Sequence, residues 1–201
     1  MGELEKDKNE LEDIRKERQI KQLNDELIQL RDECQRLTHE LDKWKEYARK
    51  DDMTEILNKR EGKKMLNHEI EVARTTGNPL TICFVDIDDL KTINDVLGHM
   101  EGDNLILNTA RILKENIRKH DVVYRFGGDE FVIIFPNTTH QEAQEVCCRI
   151  EKKIEDYNLQ STKFKLNISY GVCQYPTMNM PSITEYIQLA DKKMYDMKKK
   201  C

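Results

Sequence analysis

From Glu3 to Asn58 the chain contains neither glycine nor proline, so nothing in that stretch breaks a helix. Among its apolar positions from Ile20 onward, Ile20, Leu23, Leu27, Leu30, Cys34, Leu37, Leu41, Trp44 and Ala48 form one series. These alternate steps of three and four, a heptad seam over about four heptads. Leu4, Leu11 and Ile14 fall out of that register, which predicts splaying or a stutter in the first turns. Such a seam is either one face of a solvated helix packed on its own domain or the core of a parallel dimeric coiled coil. Its regularity favours the dimer, with Cys34 and Trp44 as imperfect core residues. Asp51-Asp52-Met53-Thr54 interrupts the seam, so the chain divides into a coiled-coil helix, residues 1–50, and a second domain, residues 51–201.

Composition agrees with a long exposed helix beside one domain. Of 201 residues 35% are charged, and the mean hydropathy is −0.77, too polar for one compact globule. A net charge of −5 argues against a nucleic-acid polymer as partner. Cys34, Cys83, Cys147, Cys148, Cys173 and Cys201 show no Cys-x-x-Cys pair and no metal-like spacing with histidines, so thiols in a reducing cytoplasm are expected. No apolar run is long enough to insert in a membrane, and the acidic N-terminus is no signal peptide. The sequence begins inside a charged helix and does not say whether a longer sensor precedes it.

After residue 51 the pattern changes. Asn58 followed by Glu61 has capping-box spacing, predicting a helix over about 59–75. Gly77-Asn78-Pro79 is a turn, and residues 80–85 form an unbroken apolar run, a central strand covered on both faces. Helices are expected over about 90–97 and 104–118, the latter with Ile106, Ala110, Leu113 and Ile117 on one face, and over about 141–157. Phe164, Leu166, Ile168, Tyr170 and Val172 alternate with polar or small residues, which predicts a strand buried on one face. A last helix carries Ile183, Ile187, Ala190, Met194 and Met197 on one side. The order β-α-α-β-β-α-β-α predicts an α+β fold, ferredoxin-like, with an antiparallel sheet and helices on one side.

Chemistry is concentrated at two places. Arg125-Phe126-Gly127-Gly128-Asp129-Glu130-Phe131 lies between two strand-like runs, and Gly-Gly there signals a tight hairpin with two carboxylates at its tip. Two such groups repel each other and need a cation or other compensation. The central strand ends in Asp86-Ile87-Asp88-Asp89, where an open α/β sheet places its ligand. Asp86 and Asp129 on neighbouring strands suit a hard divalent cation bound together with a nucleotide's phosphates. Taken singly, Asp86 could equally be a helix cap and Asp129 part of a solvated turn.

Four segments in order carry a resemblance: Asp52-Met53-Thr54-Glu55-Ile56-Leu57-Asn58-Lys59-Arg60; Asp86-Ile87-Asp88-Asp89-Leu90-Lys91 through Asn94-Asp95 and Gly98-His99 to Gly102-Asp103; Arg125 to Phe131; and Ala190-Asp191-Lys192-Lys193-Met194-Tyr195. From about Asp52 to its end the chain resembles the bacterial GGDEF family of diguanylate cyclases, which condense two GTP into cyclic di-GMP. The resemblance implies a palm-type fold, and Mg²⁺ (or Mn²⁺) held by Asp86, Asp129 and the carbonyl of Ile87, with Asp129 and Glu130 as catalytic residues. It implies guanine recognition by Asn94 and Asp103. Phosphate contacts would come from Lys91, Lys192 and the backbone at Asp89 and Leu90, and Gly128 would lie against the substrate. Arg118 and Asp121 match its product-inhibition pair. An N-cap role for Asp103, helix caps at Asp88 and Asp89, and a surface Arg118–Asp121 pair remain open beside these. The chain departs from the family at Met53 and Ile56 (usually Leu), Glu55 (usually Gly), Leu90 (usually Phe) and Asp196 (often basic).

Three functions are compatible: a diguanylate cyclase acting as a coiled-coil-linked homodimer in the cytoplasm; a degenerate domain that senses GTP or cyclic di-GMP without catalysis; and a dimerisation element with a structural globular part. The metal carboxylates favour the first over the second, and the four segments disfavour the third.

Overall fold

A helix from Gly2 to Arg49 (α1) runs without interruption, so no break accompanies the slipped register of its first turns. The computed structural model describes residues 2–160, 165–176 and 181–199, and side chains from residue 15 onward apart from residue 17. The chain forms two compact units, Met1–Ala48 and Arg49–Cys201. Within the first, Leu23, Leu30, Leu37 and Trp44 are 51%, 63%, 50% and 71% exposed. Ion pairs such as Arg36 with Glu33 and Glu40 are exposed to water and contribute little.

The second unit contains α2 (Lys59–Thr76), β1 (Leu80–Ile87), α3 (Leu90–Leu97), α4 (His99–Glu115), β2 (Val122–Arg125), β3 (Glu130–Pro136), α5 (His140–Gln160), β4 (Ile168–Gln174) and α6 (Ile183–Lys198). Its antiparallel sheet has the order β2-β3-β1-β4, the expected ferredoxin-like arrangement. Asn58 caps α2 by accepting from the Glu61 N–H. Glu61 turns instead to Lys64 and Arg49, so only half of a capping box forms. The complete box is at Ser182 and Glu185, opening α6.

The helices lie on both faces of the sheet, not on one. Cys83, Val85, Ile133 and Val172 pack with Leu105, Leu113, Val146 and Ile150 of α4 and α5. On the other face Ile82, Phe84, Val132 and Ile134 pack with Leu66, Ile70, Ala190 and Met194 of α2 and α6. The crossover helices share one face as the topology requires, and α2 and α6, outside that repeat, close the other. This also corrects the reading of β4, whose small residues face no solvent. A Cβ on Gly171 would lie 2.2 Å from the Ala190 carbonyl oxygen, so α6 rests directly on the β4 backbone. Leu166 is buried ahead of the strand, its backbone held on both sides by the Asn158 amide; Phe164 lies outside the described residues.

α4 begins five residues earlier than its expected start at Asn104, immediately after Gly98, whose φ of +88° separates it from α3. It ends at Glu115, leaving Ile117 and Arg118 in the following turn. Among the described residues Cys34 and Cys148 are exposed, Cys83, Cys147 and Cys173 are buried, and none is in a disulfide; Cys201 lies outside them. No helix among them is long and apolar enough to cross a membrane.

Candidate active site

Register alone gathers the carboxylates. Asp86, next to last in β1, pairs across the ladder with Glu130 of β3 and Ser169 of β4, and the Ile87 N–H donates to the Asp129 carbonyl at 3.1 Å. Burial raises the Asp86 pKa, and the charges of Asp129 and Asp88 raise it further against Lys198. Glu130 is raised by burial and then by Asp129, Asp86 and Asp191, with Lys59 opposing. Partly buried carboxylates that disfavour one another's charge fit a hard divalent cation. Among the described residues no three metal-ligating side chains are already gathered, so the set on offer is the Asp86 and Asp129 carboxylates with a backbone carbonyl at Ile87.

The hairpin tip differs in detail from a two-residue Gly-Gly turn. Residues 126–129 form a four-residue loop in which Phe126 and Gly127 both donate to the Glu130 carbonyl, at 2.8 and 3.2 Å, and neither glycine has positive φ. Gly127 is needed for close approach: a Cβ there would meet Glu130 Oε2 at 2.3 Å. Gly128 faces open space. Arg125 clamps the loop, donating to the carbonyl oxygens of Gly127 and Gly128 and, through Nη1, to Asp51 Oδ1 at 3.0 Å. Burial opposes ionisation of Asp51, but hydrogen bonds from Thr54 and Arg125 outweigh it and lower its pKa. The turn that ends α1 is thereby tied to the acidic hairpin, a link that a match starting at Asp52 leaves out.

At the start of α3 the expected caps are not made. Asp89 occupies the N-cap position with φ +56° and no side-chain hydrogen bond, while Asp88 accepts from Ser169 Oγ at 2.8 Å. The first amides of α3, at Leu90 and Lys91, are left without a side-chain cap, a geometry that favours an anion. Asn94 and Asp103 belong to successive helices, and Asp103 lies inside α4, so it caps nothing. A Cβ on Gly102 would fall 1.9 Å from Asn94 Oδ1, so only glycine lets the Asn94 amide lie against α4 beside Asp103. That Oδ1 is buried and has no hydrogen-bond partner, while Asp103 is exposed. An acceptor awaiting a donor beside an exposed carboxylate suits an N–H-rich base edge.

Lys91 and Lys192 are exposed on α3 and α6. The lysine that the fold brings to the carboxylates is Lys198, 2.5 Å from Asp86 and 3.6 Å from Asp88. Burial opposes its charge, and the hydrogen bond to Asp86 together with the charges of Asp86, Asp88 and Asp129 more than offset this, so its pKa is raised. Its sequence signal was position, one helical turn beyond buried Met194 on the inner stripe of α6. Lys59 sits 3.8 Å over the Phe126 ring, a second cation at the hairpin.

Arg118 and Asp121 do form a local pair, though through the backbone: the Arg118 N–H donates to Asp121 Oδ2 at 2.8 Å. Asp121 is buried and its Oδ1 has no partner. Burial raises its pKa against the Arg118 backbone and nearby His120, Arg118 and Arg149. Both residues line a cleft of about 380 Å³. Its far wall includes Glu55, whose φ of +58° accounts for the family's glycine there.

The family description "Diguanylate cyclase, GGDEF domain" matches residues 48–201. Diguanylate cyclase DosC of Escherichia coli K12 is 31% identical over 153 residues, 75% of this chain and 33% of that protein. The probable diguanylate cyclase DgcC of the same strain is 34% identical over 151 residues, 75% of this chain and 40% of that protein. The chain thus spans between about a third and two fifths of these relatives. The solved coiled coil and GGDEF domain of DgcB from Caulobacter crescentus, in complex with c-di-GMP, shares the fold with a TM-score of 0.81 at 22% identity, covering 88% of this chain and 94% of that one. Diguanylate cyclase SiaD from Pseudomonas aeruginosa, solved with its activator SiaC, gives 0.73 at 24% identity, covering 98% and 76%.

Proposed function

The chain belongs to the GGDEF family of diguanylate cyclases, and from that membership we propose that it condenses two GTP into cyclic di-GMP, releasing two pyrophosphates, as a homodimer. The observation that supports the reading is the ladder pairing of Asp86 with Glu130, next in sequence to Asp129, which brings the backbones of three acidic residues to one end of neighbouring strands. Asp86, Asp129 and the Ile87 carbonyl would hold Mg²⁺ or Mn²⁺, which would supply neutralisation of phosphate charge at the α-phosphate. The uncapped amides of α3, with Lys91 and Lys192, bind the triphosphate, and Lys198 pairs with Asp86. Gly128 leaves room for the substrate against the hairpin, and Glu130 assists in proton transfer from the attacking 3′-hydroxyl. Asn94 and Asp103 accept the N–H groups of guanine and reject adenine, which offers no such donor pair. Arg118 and Asp121 bind product.

Each domain of this type holds one nucleotide, so ring closure needs two domains face to face. The heptad seam within residues 1–50 supplies the second copy at high effective concentration for the domain over 51–201. The reaction is a cytoplasmic one, since GTP is its substrate. The test is incubation of the chain with GTP and Mg²⁺, and separately with GTP plus ATP, with products separated by chromatography. Cyclic di-GMP with little mixed dinucleotide is expected. GTP bound but unconverted would return the reading to a non-catalytic sensor.

A further inference from the structure

The cleft beside β2 carries a residue that its chemistry does not ask for. Its charged wall consists of Lys50, Lys114, Arg118 and Lys119, set against Glu55 and Asp121. Asp121 is 8% exposed and presents an unpartnered Oδ1, a buried acceptor that gains from an incoming N–H donor. Four cations around such an acceptor suit a ligand with both anionic phosphates and an N–H-bearing base edge. Glu55 opposes that ligand. Its carboxylate makes no hydrogen bond or salt bridge among the described residues, and its backbone sits at φ +58°, a conformation that disfavours every residue except glycine, asparagine and aspartate. A strained, exposed acid in a basic cleft stabilises neither the turn nor an anionic occupant.

We propose that Glu55 is a charge gate on this cleft, weakening its hold on an anionic guanine dinucleotide that Asp121 and the surrounding cations bind. The proposal rests on the reading of Arg118 and Asp121 as a product site. It predicts a cyclase less restrained by its own product than a glycine at this position would make it.

Calorimetric titration of the full chain with cyclic di-GMP tests this in wild type, Glu55→Gln, Glu55→Gly and Arg118→Ala. Glu55→Gln keeps side-chain size and backbone strain and removes only charge. Both Glu55 variants are expected to bind roughly fivefold more tightly at low ionic strength. That gain should fade toward none at about 0.5 M salt, where screening is short-ranged. Only Glu55→Gly should also raise the melting temperature, because only it relieves the left-handed backbone. If Arg118→Ala loses binding while Glu55→Gln binds no more tightly than wild type, the gate is refuted and the site stands. Tightening in Glu55→Gly alone refutes it too, since strain and not charge would then govern the cleft. Unchanged binding in both Arg118→Ala and Glu55→Gln overturns the site reading and the gate with it.

Discussion

α1 and α6 carry the same sequence pattern and meet different fates. In α6, Ile187, Ala190 and Met194 are no more than 5% exposed, because β4 offers Gly171 and the helix seats on its backbone. In α1, at the same three-and-four spacing, Leu23, Leu27, Leu30, Leu37 and Leu41 are all at least half exposed. Burying a leucine fully stabilises by roughly 1.5–3 kcal/mol, so the half-exposed α1 seam leaves unused an amount comparable to what α6 gains on its sheet. An apolar stripe specifies that a partner surface is wanted; only the rest of the fold specifies whether one chain supplies it. The globular unit therefore covers its own apolar stripes, whereas the α1 seam stays exposed within one chain.

The largest effect expected from this division is at the carboxylates. Asp129→Ala or Asp86→Ala should lower cyclic di-GMP formation at least ~10³-fold, the scale of losing a principal electrostatic contact in a transition state. Circular dichroism and dimer content should stay unchanged. Product formed by either variant at the wild-type rate would remove the metal assignment and dissolve the contrast between the two regions.

Packing of the second unit comes next. Gly171→Ala places a methyl against the backbone of Ala190, Met194 and Lys193, which cannot give as a side chain can. We expect destabilisation of about 3 kcal/mol, the upper end for overpacking, seen as a lowered denaturant midpoint of the α/β unit. A loss below ~1 kcal/mol would mean that α6 docks less tightly than its burial indicates.

How much of this was legible follows from the same contrast. The β1 run, the hairpin and the Asn58 cap are set by neighbours within a few residues; the strand and the cap formed where the pattern placed them, and the hairpin formed there with a four-residue loop in place of a Gly-Gly turn. Misreadings arose where a distant element decided the outcome. Ser169, Gly171 and Cys173 look like a solvent face until α6 is laid over them. Asp88 and Asp89 look like caps until Ser169, 81 residues from Asp88, claims the first. Lys198 and Asp51 were invisible for that reason too: their partners, Asp86 and Arg125, are remote in sequence. The nearness of Asp86 to Asp129 and Glu130 was legible because these residues lie on or beside strands whose pairing is fixed by hydrophobic runs.

Breaking the seam should cost less than breaking the site. Leu30→Lys with Leu37→Lys puts charges at two seam positions and is expected to give monomers in sedimentation. Specific activity should fall roughly 10²-fold at nanomolar chain and recover as concentration rises, the behaviour of a lost tether. A dilute monomer with full activity would show that the helix does not bring the two domains together.

The smallest expected signal sharpens the comparison most directly. Trp44 is the one tryptophan of the chain; it lies in the seam, 71% exposed, with Tyr47 6.4 Å away between ring centroids. Its fluorescence therefore reports on α1 and is silent about the α/β unit. If the seam closes on a second copy, Trp44 moves from water to an apolar surface, and its emission should shift to shorter wavelength as chain concentration is raised. The shift should vanish in the Leu30→Lys, Leu37→Lys variant and persist in Gly171→Ala under conditions where the α/β unit has unfolded. Emission that stays constant while light scattering records dimers would place the contact elsewhere than Trp44. The seam would then end before the last turns of α1, and the segment from Trp44 to Arg49 would be a free lever joining coil to domain.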